Sequence, residues 1–371
     1  MKATEEAMDI RSKQQSYRLM EAQLTKATVH TNLSYELRTP LTSIQGALGL
    51  LLSGKIETNS NKSQRLLEIA ANNVERLLRL LAALEKDKGA ALPVLSVADL
   101  ERLRLATDLY SAWEREEFEL FYQPVVCANT YKIAGFEALL RWRHPQRGFI
   151  SPAEFIPIAE ETRLIDRLGL WVLRKACLQL RQWQDRFPRH PPLSVSVNLS
   201  PVQLSQPNLS ERVRRICQET GVAPGSLRLE ITESVLIENS EAAIATLREL
   251  KAMGIQLYLD DFGTGYSSLS RLYELSIDVL KIDRSFVRGQ QWGIIRGIVH
   301  LASGLGLETI AEGIETPEEL AQAQAIGCNQ LQGYLFAKPL EAERVSHLIA
   351  RSWSAACEND GLWSCSLPAA S

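Results

Sequence analysis

The chain has 371 residues with 41 basic and 44 acidic side chains, a formal charge of -3. Balanced charge argues against non-specific nucleic-acid binding, so no DNA partner is expected, and the length suits a barrel plus a smaller module better than one core. The most apolar stretch, WGIIRGIVHLASGLGL from Trp292, is interrupted by Arg296 and His300, so no membrane insertion is expected.

The N-terminal MKATEEAMDIRSKQQ lacks an apolar signal core. The six cysteines (Cys127, Cys177, Cys217, Cys328, Cys357, Cys365) form no CxxC. Together these features predict a reduced, cytoplasmic protein without a zinc site.

Residues 1–88 are helical in pattern. Leu37, Leu41, Ile44, Leu48 and Leu51 mark one a/d seam; Leu67, Ala70, Val74, Leu77, Leu81 and Leu84 mark another, after a break at Ser53, Gly54 and the polar run 57–62. Such a hairpin buries too little alone, and both seams are narrow, so a four-helix bundle from two chains is expected, making a homodimer. Residues 89–96 (GAALPVLS) read as a linker.

A helix is predicted over 97–115. Eight strands follow: Phe118–Val126, Gly135–Trp142, Leu193–Leu199, Leu227–Thr232, Gln256–Phe262, Val279–Ile282, Glu308–Ala311 and Gln330–Leu335. Helices fill the gaps, for example 240–253 and 316–326, where Thr316 reads as an N-cap with Pro317 at the first helical position. Residues 353–371 are polar and aperiodic and are expected to be disordered. The predicted class is α/β: a TIM-like (β/α)8 barrel over 97–352, preceded by the helical hairpin.

Polar groups recur where these strands end, which is where such barrels gather their chemistry. Glu137, Asn198, Glu230, Asp260, Asp261 and Glu312 can offer oxygen ligands, and Asp260 and Asp261 are adjacent, so one can bridge two cations. Lys281 can orient water or stabilise phosphate charge, with Asp283 as the carboxylate that keeps it placed; Glu315 and Gln332 complete the ring. Gly263-Thr264-Gly265 makes a loop that could close over a ligand. Collected carboxylates need counter-charge, and two Mg2+ or Mn2+ ions would suit phosphate-ester cleavage.

The motifs Glu137-Ala138-Leu139, Tyr122-Gln123-Pro124, Arg141 in LLRW, NLSPVQL, EITES, DDFGTGYSSL, KIDRSF, AEGIE and QGYLFAKPL resemble those of EAL domains, the cyclic di-GMP phosphodiesterases, over about residues 103–350. The resemblance implies a barrel whose first strand runs antiparallel to the rest, in which one phosphodiester of cyclic di-GMP is hydrolysed to linear pGpG. It implies Glu137, Asn198, Glu230, Asp260, Asp261 and Glu312 as ligands of two metals. Lys281 would touch the attacking water, helped by Glu315 and Gln332. Glu233 would hold the DDFGTGYSS loop, Arg141 would contact a ligand phosphate, and Gln123 and Asp283 would support substrate or ligands. The rival reading is a catalytically weak cyclic di-GMP receptor or a protein-interaction scaffold. One departure stands out: residues 288–293 (RGQQWG) are shorter than the family's acidic stretch, which puts the next helix start and nearby dimer contacts in question.

NLSYELRTPLTSIQGALGLLLSG resembles the phosphoacceptor H-box of histidine kinases over about residues 28–87, with Tyr35 where the histidine belongs and Pro40 retained. His30 lies five residues earlier, about 140° around a helix, and cannot take its place. The resemblance implies a module that has lost phosphotransfer and kept dimerisation, with a histidine kinase or a response regulator as the partner class it could meet.

Overall fold

The computed structural model describes residues 97–357, apart from 234, 236–240, 264–271 and 273–274, together with helical pieces between residues 40 and 77. The chain divides into two compact units, Met1–Arg102 and Leu103–Ser371.

In the first unit, residues 40–45 and the described residues between 65 and 77 are helical. The Asn73 side chain donates to Ser43 Oγ at 3.3 Å, joining the two stretches as a hairpin requires. Leu41 and Val74, both in the predicted seams, are 47% and 43% exposed in the single chain. Tyr35, His30, the loop between the helices and the linker at 89–96 lie outside the described residues.

Helix α1 (Val97–Glu114) leads into β1 (Phe118–Cys127), β2 (Ile133–His144) and a short β3 (Gly148–Ile150). Then come α2 (Pro152–Glu161), α3 (Leu164–Arg186), β4 (Ser194–Asn198), α4 (Pro201–Leu204) and α5 (Leu209–Thr220). Next are β5 (Leu227–Thr232), α6 (Glu241–Ala252), β6 (Gln256–Phe262), β7 (Val279–Ile282), α7 (Arg284–Arg288) and α8 (Trp292–Leu305). The chain ends with β8 (Glu308–Ala311), α9 (Pro317–Ile326), β9 (Gln330–Leu331), β10 (Leu340–Glu341) and α10 (Ala342–Cys357).

The sheet closes on itself. β2, β4, β5, β6, β7, β8 and β9 pair in parallel, and β1 seals the gap between β9 and β2, antiparallel to both. β3 extends a hairpin from β2, and β10 adds to β1. The strands predicted at 227–232, 256–262, 279–282 and 308–311 form as expected.

The last strand stops at Leu331 instead of Leu335. A Cβ on Gly333 would meet the Ile314 carbonyl at 2.0 Å, so the backbone there crosses the loop after β8 instead of continuing in register. Helix α9 begins as predicted: Thr316 accepts from Glu319 N, and Glu319 accepts from Thr316 N at 3.0 Å, a complete capping box. Helix α10 runs to Cys357, so residues 353–357 are helical and not the start of a disordered tail; residues 358–371 lie outside the described set. In the short segment 288–293, which puts the next helix start in question, Trp292 and Gly293 form the first turn of α8, reached from α7 through Gly289, Gln290 and Gln291.

Core side chains between barrel and helices include Phe136, Leu173, Trp183, Leu229 and Leu259. A second cluster packs α1 and α2 against Phe118, Trp142 and Ile150. Inside the barrel sits a small apolar plug of Val125, Tyr258, Val279 and Ile310. Side chains on a strand alternate between faces, so the residues two positions on in the parallel strands, and two positions back in antiparallel β1, share the plug's interior face. Those residues are Gln123, Asp260, Lys281 and Glu312, a polar layer resting on the plug.

Candidate active site

Lys281 is at the centre of that layer and is 1% exposed. Its ammonium lies 2.6 Å from Glu230 Oε2, 2.7 Å from Glu312 Oε1, 2.8 Å from Asp260 Oδ1 and 3.8 Å from Glu137 Oε2. Glu137 is held from its other sides: Asn198 Nδ2 donates to Oε1 at 2.8 Å and Gln332 Nε2 donates to Oε2 at 2.6 Å. Gln332 Nε2 also reaches Gln123 Oε1 at 3.3 Å, and Gln123 Nε2 donates to the Ala337 carbonyl at 3.2 Å. One network thus ties β1, β2, β4 and the end of β9 to the cluster.

Asp260 and Asp261 pose a geometric problem. Consecutive strand residues face opposite sides, so only one of them should enter the barrel. The structure resolves this with a bulge: the β6–β7 register shifts between Leu259 and Phe262, and Asp261 takes a left-handed φ of 54°. Aspartate tolerates that conformation better than most residues, and an extra residue re-aims a side chain. As a result ligand oxygens of Asp260, Asp261 and Glu312 all lie within 4.8 Å of one another.

Five carboxylates (Glu137, Glu230, Asp260, Asp261, Glu312) share one ammonium, and the excess negative charge shows in their proton affinities. Burial, then repulsion from Glu137, pushes Glu230 well above the carboxylate range. Burial, opposed by Lys281 and reinforced by Asp260 and Glu137, pushes Glu312 up to about 8. Burial and the neighbouring Asp260 and Asp283 raise Asp261 to about 6. Burial also acts against the charge on Glu137, but Lys281 and the hydrogen bonds from Gln332 and Asn198 outweigh it and hold Glu137 low. Burial disfavours the Lys281 ammonium, yet the surrounding carboxylates keep it charged.

The residues fit divalent cations. All six predicted ligands offer oxygen, the donor that hard cations prefer. The carboxylate excess is the charge that such ions would neutralise, and Glu230 Oε1 is buried without a hydrogen-bond partner.

The other predicted residues take varied places. Glu233 is 5% exposed and accepts from Gly263 N at 3.3 Å, at the start of the DDFGTGYSS loop, whose residues 264–268 lie outside the described set. Arg141 is half-buried and donates to the Leu140 carbonyl at 3.0 Å; its guanidinium stands 5.9 Å from the Phe121 ring centroid and interacts with Glu137 and Tyr334. Asp283 corrects an expectation: it does not pair with Lys281. It caps α7 by accepting from Ser285 N at 2.9 Å, and it hydrogen-bonds Asp261. Its short reach and the Asp-x-Ser spacing favour the local turn, a signal the sequence did carry. Glu315 is paired with Arg288 Nη2 at 3.1 Å, in the short segment, and its backbone N–H donates to Glu319. Arg288 was not among the residues picked out from the sequence, and nothing in its spacing distinguishes it.

A closed barrel with an antiparallel first strand carries, at its strand ends, a buried lysine ringed by carboxylates, an acidic cluster on a TIM-like scaffold. Residues 106–339 match the EAL domain, and the chain belongs to that family. Residues 25–86 match the His Kinase A (phospho-acceptor) domain. The bifunctional diguanylate cyclase/cyclic di-GMP phosphodiesterase MucR of Pseudomonas aeruginosa is 42% identical over 255 residues, 67% of this chain and 37% of that protein. The cyclic di-GMP phosphodiesterase PdeR of Escherichia coli is 39% identical over 255 residues, 67% of this chain and 38% of that protein. The chain thus spans little more than a third of the length of these curated relatives.

Among solved structures, the MucR phosphodiesterase in complex with c-di-GMP superposes with a TM-score of 0.62 at 42% identity, covering 65% of this chain and 99% of that one. The EAL domain of Mycobacterium smegmatis DcpA gives 0.55 at 36%, covering 63% and 98%. Among the described residues no helix is long and apolar enough to cross a membrane.

Proposed function

We propose that the barrel hydrolyses one phosphodiester of cyclic di-GMP to linear pGpG. The observation that carries this reading is Lys281 fixed at the centre of the carboxylate ring, with Asp261 turned into the same site by the β6 bulge. Relatives named as cyclic di-GMP phosphodiesterases and the c-di-GMP complex of a 42% identical chain support the choice of substrate.

Glu137, Asn198, Glu230, Asp260, Asp261 and Glu312 are the residues to hold two cations, Mg2+ or Mn2+. When bound, the cations supply charge neutralisation at the phosphoryl oxygens and a more acidic water. The protein's own groups do the rest. Lys281, charged and buried among the carboxylates, is the group that would touch the attacking water and oppose negative charge as it develops on the phosphate. Asn198 and Gln332 fix Glu137, and Gln123 fixes Gln332. Glu233 anchors the start of the loop after β6 through Gly263. Arg141, in the second half of β2, would meet a ligand phosphate. Glu315 supports this end of the site, and its bond to Arg288 sets its orientation.

The exposed seam residues Leu41 and Val74 favour a homodimer through the hairpin, and a cytoplasmic location fits the free Cys127, Cys177, Cys217 and Cys328 and the nucleotide substrate. Lys281→Ala tests the assignment: turnover of cyclic di-GMP should fall by roughly 10²–10³-fold, the usual loss when a group that stabilises developing charge is removed. Binding of cyclic di-GMP should survive. Unchanged turnover would remove Lys281 from the chemistry, and cyclic di-GMP that binds without turnover in the parent would favour a receptor.

A further inference from the structure

We propose that Phe286 is a positioning residue for the site: its ring backs Gly263 and so holds the end of β6, with Asp261, in the cation-binding conformation. This rests on reading the barrel as a cation-dependent phosphodiesterase. Phe286 lies in α7, which carries none of the ligands named above, and is 8% exposed. Yet α7 touches the segments after β6 and β8, one following Asp261 and the other containing Glu312. After β6, Gly263 takes a φ of 99°, and a Cβ built there would meet Cε2 and Cζ of the Phe286 ring at 3.0 Å each and Ile298 Cδ1 at 3.5 Å. After β8, a Cβ on Gly313 would lie 2.6 Å from the Arg284 Cβ. At the far end of α7, Arg288 pairs with Glu315.

The end of β6 needs such backing. Asp261 and Gly263, on either side of Phe262, both have left-handed φ values, 54° and 99°. Conformations of this kind persist where the surroundings over-determine them. One restraint is the bond from Gly263 N to Glu233 Oε2 at 3.3 Å. A single bond leaves a glycine much of its freedom. The Phe286 ring stands where a side chain on Gly263 would point, so it closes a second direction. The ring is itself fixed. β7 pairs Ile282 with Phe262, Asp283 accepts from Ser285 N at 2.9 Å, and Gln291 N donates to the Phe286 carbonyl at 2.9 Å. Gly263 is thus held by a carboxylate from one element and an aromatic ring from another. A smaller side chain at 286 lets the turn relax, and Asp261 leaves the group of ligand oxygens, within 4.8 Å of one another, that it forms with Asp260 and Glu312.

The test uses the full chain and reads cation binding as well as turnover. Phe286→Leu keeps an apolar side chain but removes the ring atoms that face Gly263. Mn2+ affinity by titration calorimetry should fall by roughly tenfold or more, the scale on which support for metal ligands acts. The kcat for cyclic di-GMP should fall with little change in KM, since no substrate contact is lost. Phe155→Leu is the control, because Phe155 is fully buried in the cluster that packs α1 and α2. It should lower the melting temperature while Mn2+ binds as in the parent. Unchanged Mn2+ affinity in Phe286→Leu, or an equal loss in Phe155→Leu, would overturn the proposal.

Hydrogen exchange on the parent decides the matter if the variant does not fold. Mn2+ should slow exchange at the end of β6 and in α7 alike, although α7 holds no ligand. Slowing confined to the end of β6 would overturn the proposal. A parent that binds Mn2+ but leaves cyclic di-GMP intact would defeat the phosphodiesterase reading alone; the affinity and exchange results would still judge Phe286.

Discussion

Replacing Lys281 by methionine tests the electrostatic design of the site without reference to catalysis. Methionine keeps most of the side-chain volume, so packing loss is small, below about 1.5 kcal/mol. What goes is the ammonium, 1% exposed and within 2.8 Å of three carboxylates. Breaking a buried ion pair from one side costs roughly 3–5 kcal/mol. In a domain of this size each kcal/mol is worth about 2–4 °C, so the melting temperature should fall by roughly 6–20 °C in chelator at pH 8. The loss should shrink towards pH 6. There the carboxylates can take up protons in place of the missing charge, as Glu312 already does up to about pH 8. Mn2+ or Mg2+ should restore much of the difference, because the cations return positive charge to the same oxygens. Differential scanning calorimetry at both pH values, with and without cation, reads all three effects. A variant that melts within about 2 °C of the parent in chelator at pH 8 would refute the view that Lys281 neutralises the cluster.

Cation affinity should rise with pH between about 6 and about 8, because protons held by Asp261 and Glu312 must leave before their oxygens can bind; titration calorimetry in buffers of different ionisation enthalpy should show that proton release. In chelator the sign for stability reverses. Glu312 binds its proton more tightly folded than at its ordinary 4.5, so stability should decline as pH climbs from 4.5 through about 8, as melting temperatures can show. Asp261→Asn keeps a residue suited to the left-handed bulge, while Asp261→Val adds strain on the order of 1–3 kcal/mol; equal melting temperatures for the two would contradict the role of that conformation. Deleting residues 1–92 should leave a folded barrel with weaker self-association by sedimentation, and an unchanged oligomeric state would show that the hairpin is not the dimer module.

Much of the barrel is legible because its signals are local. Short apolar runs such as LRLEIT and VLKI carry their own strand ends, and Thr316-Pro317 announces α9. Asp260, Lys281 and Glu312 in the polar layer are legible because each closes such a run, whereas Gln123 lies inside β1. What escapes is decided by contacts between distant segments or by competition at one residue. Tyr334 and Leu335 look like a continuation of β9, but the close approach of Gly333 to Ile314 turns the chain away. Period-two reading sends Asp260 and Asp261 to opposite faces, and only the bulge, set by pairing with β7, brings them together. Asp283 beside Lys281 in sequence suggests a pair, yet its carboxyl accepts from the Ser285 N–H of its own helix. The pairing of Glu315 with Arg288 joins the loop after β8 to the end of α7 and has no sequence pattern at all.

The most direct test of the central claim is product analysis of purified protein incubated with cyclic di-GMP and Mg2+ or Mn2+, beside Glu137→Ala. Glu137 is 6% exposed and held by Asn198 and Gln332, so its loss should remove a cation ligand while leaving the barrel folded by circular dichroism. Linear pGpG from the parent and none from the folded variant is the predicted result. Intact cyclic di-GMP with the folded, cation-loaded parent would contradict the assignment of a phosphodiesterase.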